Sequence, residues 1–209
     1  RDRAKTEILS SIINGNQSSA LIIEGSQTEA IMENVDIFDT EARLMPQHPT
    51  APALDLSSST ITIMLPPIAF AAIEVEQGAQ LTMNRSRVNN NEYIALRVGH
   101  NSQARISHTN FSHTTTVPGS EWGGGINIQV KDNGYVYLEN VTTLHADLIG
   151  LQLYGGTADY HIGTVGYNLI GIHVTTAVFN VNRLTDRVVF PYNGRNLDTT
   201  DLPVPEPSA

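Results

Sequence analysis

The chain contains no cysteine, which excludes disulfides, thiolate metal sites and cysteine nucleophiles. Lysine is almost as scarce. Only Lys5 and Lys131 occur, and 12 basic residues face 21 acidic ones, for a net charge of −9. No basic patch or stripe of the kind nucleic acid requires is present, nor a basic amphipathic helix suited to an anionic membrane surface. No run approaches the roughly 20 apolar residues of a transmembrane helix. There is no Gly-x-Ser-x-Gly elbow and no phosphate-cradling glycine loop ahead of a helix. Seven histidines are scattered without zinc-ligand spacing. Asp36 with Asp39 falls short of the roughly six to eight oxygens that calcium takes. Neither a metal nor a cofactor is therefore expected. Arg1 is not an initiator residue, so the expectation is that further sequence precedes it.

What the chain does have is one recurring phrase: a small residue, then two large apolar residues separated by one that is usually polar. It reads Ala20-Leu21-Ile22-Ile23, Ala53-Leu54-Asp55-Leu56, Ala72-Ile73-Glu74-Val75 and Ala95-Leu96-Arg97-Val98. It continues as Gly125-Ile126-Asn127-Ile128, Gly150-Leu151-Gln152-Leu153 and Gly171-Ile172-His173-Val174. The steps between successive phrases are 33, 19, 23, 30, 25 and 21 residues. Repeats of this length mark a solenoid, in which each unit buries its apolar face only against its neighbours.

A second alternating segment follows each phrase after a turn, as in Leu81-Thr82-Met83, Ala104-Arg105-Ile106, Val136-Tyr137-Leu138 and Tyr160-His161-Ile162. Period-two alternation is the signature of a half-buried strand. A further apolar residue, Ile37, Val88, Phe111 or Tyr167, suggests a third strand per repeat. The expected fold is all-β: a single-stranded parallel β-helix of about seven coils over residues 1–197. Residues 1–15 have a spacing that fits a helical cap and also fits strand. Residues 198–209, acidic and rich in proline, read as an extended C-terminal linker.

This grammar resembles the right-handed parallel β-helix (pectate-lyase-like) superfamily. Ala72-Ile73-Glu74-Val75-Glu76-Gln77-Gly78-Ala79-Gln80-Leu81-Thr82-Met83 and Ala95-Leu96-Arg97-Val98-Gly99 look most like coils of pertactin-type autotransporter passenger domains. The resemblance implies a right-handed coil in a secreted or bacterial cell-surface protein, often an adhesin or virulence factor. It further implies a partner that is a host-surface protein or a polysaccharide.

Two sets of residues carry the functional expectations. For a non-catalytic binding module, the candidates are Glu121 and Trp122 in the long loop from Thr114 to Gly124, together with Tyr135 and Tyr137. The two tyrosines flank Val136 with period two and should point outward together, with Tyr154 and Tyr160 extending them into an aromatic strip. The alternative is a polysaccharide-active enzyme, hydrolase or lyase. There Asp55 and Glu74 would stack as a carboxylate pair, and Arg97 would bind an acidic sugar. A polygalacturonase-like set of three clustered aspartates with His-Gly and Arg-Ile-Lys is not present. A third reading is a structural spacer or a fibre fragment.

Overall fold

The computed structural model describes residues 4–16, 19–41, 71–117, 124–175 and 179–199. Alternating apolar residues give short strands, and the turns between them carry Gly, Asn and Asp. The first strands are β1 (Ala4–Leu9), β2 (Ile12–Asn14), β3 (Leu21–Glu24), β4 (Thr28–Glu33) and β5 (Asp36–Phe38). The central ones are β6 (Ala71–Glu76), β7 (Gln80–Asn84), β8 (Arg87–Glu92), β9 (Ile94–Val98), β10 (Gln103–Ser107) and β11 (Asn110–Thr115). The last are β12 (Ile126–Lys131), β13 (Tyr135–Leu144), β14 (Ile149–Tyr154), β15 (Thr157–Gly166), β16 (Ile170–Val174), β17 (Asp186–Val189) and β18 (Arg195–Thr199). A 3-10 turn at Val181–Leu184 precedes β17. Among the described residues no helix is long and apolar enough to cross a membrane.

These strands form two all-parallel sheets. One has seven strands in the order β18-β16-β14-β12-β9-β6-β3. The other has eleven and curls, because β13 pairs with β10 through its first half and with β11 through its second. Strands of successive repeats lie side by side, as in a parallel β-solenoid. The N-terminal segment is strand, not helix: β1 pairs with β4 and β2 with β5.

Parallel register turns equivalent positions into continuous apolar columns. On the seven-stranded sheet Leu21, Ile73, Leu96, Ile128, Leu151, Ile172 and Leu197 stack in order, beside Ile23, Val75, Val98, Val130, Leu153 and Val174. On the curled sheet Met32, Met83, Ile106, Leu138 and Tyr160 do the same. Most of these side chains are fully buried, and each contributes roughly 1.5–3 kcal/mol of transfer free energy.

Three positions differ from expectation. Ile126 pairs with Ile94 and Ile149, two residues out of the main column, and Ile128 takes the expected place. Its neighbour Asn127 is consequently fully buried, where it accepts from Thr114 Oγ1 at 2.7 Å and donates to the Leu144 carbonyl at 3.0 Å. The column of Ile37, Val88 and Phe111 continues through Thr143 and Val165 rather than Tyr167. Tyr167 sits at a corner with φ 56° and is exposed. Finally, Leu21 pairs directly with Ile73 and Ile23 with Val75, so the columns do not run through Leu54 and Leu56 as their phrase suggests; both lie outside the described residues.

Polar side chains close the corners. Asn91 Oδ1 accepts from the Thr40 N–H, Asn168 Oδ1 from Ala146 and Asn193 Oδ1 from Asn168. The N–H groups of Thr40, Ala146 and Asn168 are satisfied in this way where they leave the ladders.

Candidate functional site

The outward positions of the curled sheet make the site. Alternation places Gln80 and Thr82 of β7, Gln103 and Arg105 of β10, and Tyr135 and Tyr137 of β13 on one face. Register aligns them in two rows, Gln80–Gln103–Tyr135 and Thr82–Arg105–Tyr137. Together they line a shallow hollow of about 280 Å³. The expected outward pairing of Tyr135 and Tyr137 is therefore what the fold gives. The wider aromatic strip is not formed. Tyr160 points inward, fully buried, with its hydroxyl donating to the Val141 carbonyl at 2.8 Å. Tyr154 lies on β14, in the other sheet.

The hollow is held by neighbouring side chains. The Arg105 guanidinium carbon sits 4.7 Å from the Tyr137 ring centroid, a cation–π distance. The other neighbour of that ring is His161, 5.3 Å away and tilted by 36°. His161 Nδ1 in turn lies 2.8 Å from Asp186 Oδ2. Tyr135 donates its hydroxyl proton to Asp159 Oδ2 at 2.7 Å, and Arg183 grips both oxygens of Asp159 at 2.6 and 2.8 Å. The Arg183 hydrogen bond is the main reason the Asp159 carboxyl is held below the usual range. Burial, reinforced by the hydrogen bond to Asp159, pushes the Tyr135 phenol up to about 12. At neutral pH Asp159 is thus an ionised structural anchor and Tyr135 a neutral donor, and neither is set up for proton transfer.

The alternative catalytic set sits on the other sheet. Glu74 Oε1 accepts from Ser19 Oγ at 2.8 Å and from the Ala71 N–H at 3.0 Å, with the Arg97 guanidinium 3.9 Å away. Arg97 Nε donates to Gln129 at 3.2 Å, and Gln129 donates to Gln152 at 2.7 Å. Gln152 Nε2 lies 3.4 Å from His173 Nδ1. These outward side chains form one polar ladder whose members hold each other. In the sheet Glu74 has Ile22 on one side and Arg97 on the other, so the strand neighbours of Glu74 supply no second carboxylate. Asp55, Glu121 and Trp122 lie outside the described residues.

Arg105, Asp159, His161 and Arg183 were not among the residues expected at the site. Arg105 was legible, because it occupies in Ala104-Arg105-Ile106 the place that Tyr137 occupies in Val136-Tyr137-Leu138. Arg183 carried no such signal. It comes from the 3-10 turn and meets Asp159 only through the coil. Among the described residues no three His, Asp or Glu side chains converge as a metal site.

Comparison with protein-family models, with curated proteins and with solved structures gives no match. The class of the chain is accordingly that of its architecture: an all-β protein of two stacked, all-parallel sheets.

Proposed function

We propose that this protein is a non-catalytic binding module, secreted or held at a bacterial cell surface. Its scaffold would be a right-handed parallel β-helix of about seven coils, like the pertactin-type passengers its repeats resemble. The partner is a host-surface protein or polysaccharide met through the face around Arg105, Tyr135 and Tyr137.

One observation carries this reading. The hollow is shallow, and its aromatic and charged groups are fixed by neighbouring rungs. Arg and Tyr presented on a rigid surface are the residue types in which interface energy concentrates. The nearby carboxylate, Asp159, is consumed by Arg183 and Tyr135. A secreted location is supported by the repeat phrasing and its resemblance to secreted β-helical coils.

The test is a binding screen of intact protein against immobilised glycans and extracellular-matrix proteins, followed by mass spectrometry of the same glycans. The expected result is retention without cleavage, weakened by Tyr137→Ala. Cleavage products formed by the intact protein would replace this reading with an enzymatic one.

A further inference from the structure

We infer that Arg105 is the anchor for a carboxylate side chain on an acidic segment of a protein partner. This rests on the binding-module reading and names the chemistry of its ligand.

The first argument is charge accounting. Every other lysine and arginine among the described residues lies within 4.0 Å of a carboxylate. Arg105 instead has the ring of Tyr137. In a chain of net charge −9, with acidic residues in excess, this one guanidinium, in the middle of the hollow, has no carboxylate within 4.0 Å among the described residues. Stacking on a ring occupies a guanidinium's face and leaves its in-plane N–H groups unconsumed. That planar fork matches a carboxylate bidentately. The stacking also restricts the side chain beforehand, so less conformational entropy is lost when the ligand arrives.

The second argument concerns what surrounds the fork. Gln80, Gln103 and Thr82 are exposed and neutral. They offer donors and acceptors to a peptide backbone and add no competing charge. Acids that share this face by register, such as Glu29 beside Gln80, Glu139 beside Ser107 and Asp159 beside Tyr137, do not take the strand positions next to Arg105, which Thr82 and Tyr137 occupy.

The third argument separates peptide from glycan. A sugar binds an aromatic side chain by lying on an open ring face. Here the neighbours of the Tyr137 ring are Arg105 and His161, so the ring is presented edge-on. A hollow of about 280 Å³ suits one side chain rather than several sugar rings.

The experiment titrates intact protein with three fluorescein-labelled probes: hexaglutamate, hexaglutamine and hexagalacturonate. Hexaglutamate should bind, and hexaglutamine should not. Arg105→Gln should weaken hexaglutamate binding about tenfold, and Arg105→Lys should recover little, because the fork rather than the charge is lost. Arg195→Gln, which removes an exposed charge on the other sheet, should leave binding unchanged. Arg105 is exposed, so the thermal midpoint of each variant should match that of the parent. Absence of hexaglutamate binding, an equal loss in Arg195→Gln, or stronger binding of hexagalacturonate would each overturn the assignment. None of these results produces cleaved glycan, so failure here is distinct from failure of the binding-module reading.

Discussion

Asp159→Asn is the perturbation that tests how the site is held. The carboxylate accepts three hydrogen bonds, one from Tyr135 and two from Arg183. Charge-assisted bonds contribute about 1.5–3 kcal/mol each when buried. The Asp159 side chain is 23% exposed and that of Arg183 37%, so solvent takes a good part of this back. Asparagine also keeps one acceptor oxygen. The expected net loss is about 2 kcal/mol, or about 4–8 °C in thermal midpoint for a chain of this size. In a double-mutant cycle with Arg183→Gln, at least about 1 kcal/mol should appear as coupling.

The pH dependence fixes the sign. Asp159 titrates below an ordinary carboxyl in the folded state. Its stabilisation is therefore fully present above the unfolded value of about 3.9 and is lost as pH falls through the folded value. Urea unfolding of parent and variant should differ most at pH 7 and converge in acid. Other acid-sensitive groups, Asp186 among them, affect both proteins alike and cancel in the difference. Curves that stay parallel down to the acid limit, or a coupling below about 0.3 kcal/mol, would refute the reasoning.

Three further outcomes follow from the packing and the titrating groups. A Cβ on Gly163 would stand 2.3 Å from the Val141 carbonyl oxygen and 2.5 Å from the Tyr160 ring; Gly163→Ala should cost more than about 3 kcal/mol, and a variant with the parent's melting midpoint would contradict that contact. Leu96 is fully buried mid-column; Leu96→Ala should lose about 2–5 kcal/mol in urea unfolding, and Leu96→Asp, which buries an unpaired charge, should lose cooperative unfolding altogether. Because the folded Tyr135 phenol is raised, its stabilisation is intact below about 10 and is lost as pH rises through about 12. Absorbance titration should show this late ionisation and its return toward 10 in Asp159→Asn, whereas a single wave of all tyrosines near 10 would refute it.

Much of the fold was legible because parallel stacking repeats one physical problem in every rung. Leu21, Ile73, Leu96, Leu151 and Ile172 all take the column positions that their phrase assigns them. The phrase at Ile126 failed because alternation is unchanged by a shift of two residues. Gly125-Ile126-Asn127-Ile128 and Asn127-Ile128-Gln129-Val130 are equally good strands on that criterion. What chooses between them is the buried pairing of Asn127 with Thr114 and Leu144, a tertiary contact with no periodic trace. The same limit hid Arg183, whose partner Asp159 is 24 residues away.

Stacking also decides what an outward aromatic side chain can do. In an isolated strand Tyr137 would present a ring face, and a reading by residue type alone makes it a platform for sugar. In a stacked sheet the next rung lies only about 4.8 Å away, so an outward ring with an aromatic or guanidinium neighbour on each adjoining rung has its faces covered. Tyr137 lies between Arg105 and His161, and the corner column of His113, His145, Tyr167 and Tyr192 stacks at 4.8 to 5.0 Å. A partner approaching such surfaces meets ring edges, hydroxyls and the fork of a guanidinium. In the proposed binding role, recognition by this face would therefore rest on hydrogen bonds and charge. For that reason replacing Arg105, which Tyr137 holds in place, should have the largest effect on binding in that role.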